Sequence, residues 1–409
     1  MFKSISFAIL IFCLTVLSNE VAFAAIGGVS NEDLSRAREL SKAVNAFAFD
    51  LYKEIAKEEK GNIFFSPLSI SMALALAYEG AVGETREEMR RVLYYEGNVG
   101  EQFKAYMEMI DKTPKESGKL YIANGIWGDR NLTLLPDYTA RVKKCYGSEV
   151  RRLDFRKQEY TASVINRWVA NKTRGEIKEI VNKNSKISWV MSIINAVYFQ
   201  AFWAEPFSER NTRKETFYRT PAITEQIDMM YSQKKTSYSE TDDFQAISLP
   251  YTNGRYSMIV VLPKEHVKLG NFENSLSDSR FKNILSSLKE YRVNVYLPKF
   301  KTEKAYLLKG RLMKIGLNQA FTKKANFKDI GFAPSGGLYI DEAFHKSVIE
   351  VAEAHTKATA VTEVRLATVI SAGNVSETKE FKADRPFLYL IIDNAARVVV
   401  FIGRYQEAE

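Results

Sequence analysis

The chain has 409 residues, of which 46% are hydrophobic, 12% aromatic and 26% charged. This is an ordinary globular composition with apolar material for one large domain or two smaller ones. The formal net charge is +9 and the sequence pI about 9.1, but the basic pairs Arg90-Arg91, Lys143-Lys144, Arg151-Arg152 and Arg156-Lys157 are interrupted by acids and form no nucleic-acid-binding motif. A solvated basic surface is expected, with no nucleic-acid partner.

The N-terminus reads "MFKSISFAILIFCLTVLSNEVAFAA". Lys3, the apolar run from Ile5 to Leu17 and the A-x-A site Ala22-Phe23-Ala24 make a secretory signal peptide over residues 1–24. The apolar run is shorter than the ~20 residues of a membrane span, and no later segment is long and apolar enough to span a bilayer. The expectation is a secreted or extracellular protein (periplasmic if the source is a Gram-negative bacterium) with no membrane span. Cys13 leaves with the signal, so Cys145 is the only cysteine kept. No intramolecular disulfide is then possible, and Cys145 reads as a plain buried or half-buried thiol.

Residues 25–36 read as a polar N-terminal extension before one domain at 37–409. In the first helix Leu40, Val44, Phe47, Leu51 and Ile55 share one face, and "EKGN" at 59–62 stops it. "SPLSISMALALAYEGAVGET" reads as a buried helix with Pro67 in its first turn and Gly80 and Gly83 at its end. Thr85 and Glu88 have the spacing of a capping box for "REEMRRVL". From about residue 188 strands take over. "WVMSIINAVYF" is almost continuously apolar, as in a strand buried on both faces. "YSMIVVLP" and "YRVNVYLP" end at Pro263 and Pro298, and "PFLYLIIDNAARVVVFIGRY" is two strands about a turn at Asp393-Asn394. No repeat or linker divides the chain, which indicates a single α+β domain with large sheets.

Enzyme chemistry finds no support. His266, His345 and His355 are the only histidines, and H-E-x-x-H, G-x-S-x-G, Walker A and G-x-G-x-x-G are all missing. One retained cysteine and scattered histidines make no metal site. No cofactor is expected.

Several collinear stretches resemble the serpin family of serine protease inhibitors. They are "NIFFSPLSISMALALAYEGAVGETREEM" (62–89), "INRWVANKTRGEIKEIV" (165–181), "IINAVYFQAFWAEPF" (193–207), "LYIDEAFHKSVIEVAEA" (338–354), "FKADRPFLYLIIDN" and "FIGRY". The resemblance implies a fold of three β-sheets and about nine helices, with an exposed reactive-centre loop at about 353–380. It implies a monomer that acts as bait. A target serine protease cleaves the loop and is trapped as an acyl-enzyme when the loop inserts into the central sheet as a new strand.

The resemblance also assigns residues. Taking Glu353 as the seventeenth residue before the scissile bond puts that bond between Val369 and Ile370, beside Thr368. The hinge is then Glu353, Ala354, His355, Thr356, Lys357, Ala358, Thr359 and Ala360. Ser66, Ser69, Asn195 and His345 match the polar shutter beneath the sheet. Trp203, Lys299 and Glu353 match the breach where insertion begins. Val369 suits the small apolar pocket of an elastase-like or subtilisin-like protease; a trypsin cut at Arg365 would leave a shorter strand and reads as substrate behaviour. The family usually has Gly where this chain has His355 and an acid where it has Lys357, which leaves open a non-inhibitory serpin serving as carrier, chaperone or storage protein.

The loop itself alternates as a strand does. Thr356, Ala358, Ala360, Thr362, Val364 and Leu366 lie on one face; Lys357, Thr359, Val361, Glu363, Arg365 and Ala367 lie on the other, with every charge of the segment.

Overall fold

The computed structural model describes residues 28–114, 118–182, 190–334, 336–356 and 377–408. Ser30 caps α1 (Asn31–Glu58) by accepting the Asp33 N–H at 3.0 Å. Leu40, Val44, Phe47, Leu51 and Ile55 of this helix are all fully buried, as their spacing predicts. After the short β1 (Ile63–Phe65), Ser66 caps α2 (Pro67–Tyr78), and every residue of α2 is buried. Gly80 beyond it serves close packing: a Cβ there would meet the Ile330 side chain at 2.1 Å.

The capping box is a correction. Helix α3 (Gly83–Val92) begins two residues before Thr85, and its N-cap residue, Val82, makes no side-chain cap bond. Thr85 is buried and accepts the Asn326 N–H at 2.9 Å, while Glu88 accepts the Gln319 N–H at 2.6 Å. Both side chains hold a distant segment of chain in place of their own helix terminus.

The chain continues through α4 (Val99–Lys112), β2 (Lys119–Asp129), β3 (Thr133–Leu134), α5 (Pro136–Tyr146), β4 (Glu149–Leu153), α6 (Gln158–Lys172), β5 (Met191–Phe202), β6 (Arg213–Thr220), β7 (Ile223–Glu240), β8 (Phe244–Pro250) and β9 (Tyr256–Pro263). It ends with α7 (Leu269–Asn274), α8 (Asp278–Ser287), β10 (Lys289–Pro298), β11 (Phe300–Leu307), α9 (Lys309–Lys314), β12 (Gly331–Phe332), β13 (Glu342–Val351), β14 (His355–Thr356), β15 (Lys379–Lys382), β16 (Phe387–Asp393) and β17 (Val398–Tyr405). Among the described residues there are nine α-helices and three sheets, the α+β architecture expected. No described helix is long and apolar enough to cross a membrane. Cys145 is free and buried, and burial raises its thiol pKa.

One sheet has the order β11-β13-β5-β2-β4. The larger one joins β1, β17, β16, β9 and β8 to β10 and β15 through the 18-residue β7, which also pairs with β6. The third is the β3–β12 pair. The apolar C-terminal strands β16 and β17 are wholly buried. Their turn is fastened by an ion pair with no exposure on either side chain. Arg255 Nη2 lies 2.6 Å from Asp393 Oδ2, and Asp393 Oδ1 accepts the Ala395 and Ala396 N–H groups at 3.0 Å. Asp393 Oδ2 also accepts from Arg255 Nε at 3.0 Å and the Tyr106 hydroxyl at 3.1 Å, and Arg255 Nη1 donates to the Thr113 hydroxyl at 3.0 Å, so the pair is buried with both groups hydrogen-bonded.

Candidate functional site

Two parallel strands, β5 and β13, meet in the middle of the β11-β13-β5-β2-β4 sheet, in register from Glu342 opposite Ser192 to Val348 opposite Tyr198. Their neighbours β2 and β11 run antiparallel to them. The two faces of β5 differ. Met191, Ile193, Val197, Phe199 and Ala201 enter the main core. Ile194, Ala196 and Tyr198 enter a second cluster with Ile165, Trp168 and Val169 of α6.

At mid-height His345 of β13 sits opposite Asn195 of β5. The His345 Nε2 accepts the Ser66 N–H at 3.2 Å. The proton is therefore on Nδ1, which donates to Asn195 Oδ1. The Asn195 amide donates in turn to the Ser69 carbonyl at 3.1 Å, the Ser69 hydroxyl and Asn124 Oδ1. Ser69 N–H donates to Ser66 Oγ at 3.1 Å, and Ser66 Oγ donates to the Val400 carbonyl at 2.6 Å. Thus Ser66, Ser69, Asn195 and His345 form one network that bridges α2, β5, β13 and β17. Burial pushes the His345 pKa down from 6.5 to about 3, so the ring is neutral. Tyr306 lies parallel to it, with ring centroids 6.4 Å apart.

Above this level β5 and β13 part. Trp203 is buried on the end of β5, stacked on Tyr251 at 4.6 Å, and its Nε1 donates to the Ala352 carbonyl at 2.8 Å. Glu353 is also buried. Its Oε2 meets Lys299 Nζ at 3.0 Å, its Oε1 accepts the Thr212 hydroxyl at 2.9 Å, and its carbonyl accepts the Phe207 N–H at 2.8 Å. Burial alone would raise the Glu353 carboxyl pKa; the Lys299 and Thr212 hydrogen bonds outweigh it and hold the group below its ordinary value. Trp203, Lys299 and Glu353 are thereby brought together.

Beyond Ala354 the chain turns back. The two residues of β14 pair antiparallel with the end of β5, His355 opposite Phe202 and Thr356 opposite Ala201, and β14 also contacts β13. The remaining expected hinge residues Lys357, Ala358, Thr359 and Ala360, and the expected reactive-bond residues Thr368, Val369 and Ile370, lie outside the described residues.

Sequence reasoning missed Asn124, Thr212, Tyr251 and Tyr306. Asn124 left a trace, a lone polar residue inside the apolar run "LYIANGIW". The others carry none, because their partners are distant in sequence.

A family model described as serpin (serine protease inhibitor) matches residues 42–408. The chain belongs to the serpin family. A serpin-like protein of Thermococcus kodakarensis is 39% identical over 366 residues, covering 88% of this chain and 84% of its own. A leukocyte elastase inhibitor of Xenopus tropicalis is 32% identical over 378 residues, covering 90% of this chain and 98% of its own. The native-state crystal structure of tengpin, a thermophilic serpin, matches with a TM-score of 0.81 at 30% identity, covering 93% of this chain and 95% of that one. Serpins with inhibitory names thus stand among the relatives, and the fold is that of the serpin family.

Proposed function

We propose that this serpin is a secreted suicide inhibitor of serine endopeptidases, of the elastase-like or subtilisin-like kind, that acts by inserting its cleaved loop between β5 and β13. The observation that carries this reading is β14. It already lies antiparallel to the end of β5, on the course that an inserting strand would take. Continued residue for residue, the register sets Ala358 against Phe199, Ala360 against Val197, Thr362 against Asn195 and Val364 against Ile193. All four β5 residues lie on the core side or in the polar network of Ser69, and paired residues share a face. Lys357, Glu363 and Arg365 would fall opposite Gln200, Ile194 and Ser192, on the α6 side. The main core would receive no charge; of the charged residues only Glu363 would fall against a buried apolar residue, Ile194 of the α6-side cluster.

This matters energetically. Ordering a residue costs about 1–2 kcal/mol, and a backbone hydrogen bond returns a net of roughly 0.5–1.5. Burial of Val364, Leu366 and the alanines must add to the bonds, and a single unpaired charge on that face would cost several kcal/mol more. A gain also comes from pairing. Insertion would replace the parallel β5–β13 contact by two antiparallel ones, the slightly stronger kind.

In this reading Ser66, Ser69, Asn195 and His345 are the shutter that must part. Trp203, Lys299 and Glu353 are the breach. Val369-Ile370 is the reactive bond, and residues 1–24 are a signal peptide. Mixing the protein with pancreatic elastase and with subtilisin should yield an SDS-stable covalent complex; cleavage by both with no complex contradicts inhibition. His355 motivates the competing reading, a non-inhibitory serpin whose loop is only a substrate. Against it, His355 stands in a strand opposite Phe202, an extended backbone that needs no glycine.

A further inference from the structure

We propose that Asp341 is a latch at the foot of the β5–β13 contact, holding the first amides of β5 until an inserting strand takes them over. This rests on the loop insertion proposed above. Asp341 directly precedes β13. Its Oδ2 accepts the Val190 N–H and, at 3.2 Å, the Met191 N–H. Its own N–H donates to the Met191 carbonyl at 2.8 Å. On the other flank the Val190 carbonyl accepts the Asp129 N–H of β2 at 3.0 Å. The start of β5 is thus gripped from both sides, and the grip on the β13 side is a carboxylate.

The register of β14 says what happens there. Extended down β5, it brings Leu366 opposite Met191 and Ala367 opposite Val190. The inserted strand would have to take over ladder contacts along this edge of β5, where Asp341 now supplies the acceptor. Hydrogen bonds to an ionised acceptor are roughly twice as strong as those between neutral groups. Completing insertion therefore means exchanging a strong local acceptor for weaker carbonyls, with compensation only when the whole strand is seated. The carboxyl is half-buried, and burial raises its pKa in spite of the two amide bonds, so it regains hydration when released. Asp341 accordingly resists opening from below while the breach and the shutter resist it from above and in the middle. It opposes insertion of an uncut loop, and after cleavage it sets the rate of the last step. Asp341 is a positioning residue: it acts on β5 and touches no protease.

The test uses the full chain as wild type, Asp341→Ala and Asp341→Asn. Each intact protein is incubated at elevated temperature, and conversion to a heat-resistant, loop-inserted monomer is timed. Hydrogen exchange at the Val190 and Met191 amides is followed by mass spectrometry. Asp341→Ala should convert on the order of tenfold faster and expose both amides to exchange about tenfold faster, the loss expected for hydrogen bonds to a charged group. Asp341→Asn keeps an oxygen acceptor and should fall between; it carries the same readouts if the alanine variant fails to fold. Wild-type conversion rates in the variants, with the two amides still protected, overturn the latch. If cleaved wild type gains no thermal stability, insertion itself is absent and both proposals fall; if it does gain stability and the variants behave as wild type, the latch alone falls.

Discussion

His345 is neutral in the folded protein because burial strips it of water and its neighbours need it neutral. Nε2 must accept from the Ser66 N–H while Nδ1 donates to Asn195; a second ring proton would break the first of these bonds. The sign of the pH effect follows. The folded pKa of about 3 lies below the ordinary 6.5, so below pH 6.5 the unfolded chain takes up a proton that the folded one refuses. The contribution of His345 to stability is complete above that value and is lost as the pH falls toward 3, at about 1.4 kcal/mol per pH unit. Between pH 7.5 and 5 the protein should lose roughly 2 kcal/mol more stability than His345→Gln, measured by urea unfolding of both. Parallel curves for the two proteins would show that His345 does not carry the effect. The same scale shows the reach of sequence reading. His345, Asn195, Ser66 and Ser69 were recognisable by resemblance. Asn124 and Thr212, which complete the bonding of Asn195 and Glu353, were not: Asn124 shows only as a lone polar residue in an apolar run, and Thr212 shows nothing, because a hydrogen-bond partner across the fold leaves no local spacing to detect.

At the scale of elements, β14 fixes which loop positions would meet the core, and this can be checked one side chain at a time. Thr356 is opposite Ala201, a core residue. Thr356→Arg should therefore stall insertion and convert an inhibitor into a substrate, with several moles of serpin cleaved per mole of protease trapped. Lys357→Glu changes a charge on the other face, opposite Gln200, and should leave the stoichiometry near that of wild type. Equal effects of the two substitutions would mean that the register is wrong. Periodicity was a sound guide where burial is one-sided or complete, as in α1, β5 and β9. It gave no strand for β2, whose pattern is interrupted by Asn124, Gly125 and Gly128. Those interruptions have packing reasons. A Cβ on Gly125 would lie 3.1 Å from the Trp168 ring, and one on Gly128 would lie 2.5 Å from Leu132. Thr85 and Glu88 misled for a related reason: a capping-box spacing is local, but their bonds go to Asn326 and Gln319.

For the whole molecule, the α+β class and its two ends were legible because long apolar strands and a fully buried helix can be placed only in a large single core. The pairing order β11-β13-β5-β2-β4, with parallel strands left adjacent at its centre, was not read from the sequence; the family resemblance implied three sheets but no strand order. Nothing in the residues of β5 or β13 distinguishes a parallel partner from an antiparallel one. That central pairing is where the proposed insertion would take place. Three sets of contacts accompany the parallel arrangement in this chain: Glu353 with Lys299 and Thr212, His345 with Asn195, and Asp341 with the start of β5; the proposed mechanism makes them the contacts that insertion must break. On the proposed mechanism a cut loop would supply the strand that makes the arrangement antiparallel. The most direct measurement is the thermal unfolding of the protein before and after cleavage near Val369. The cleaved form, still holding both fragments, should melt at a temperature higher on the order of 10 °C or more, since every added kcal/mol raises the midpoint of a large domain by a degree or more. A cleaved form that melts at or below the intact protein would contradict insertion between β5 and β13.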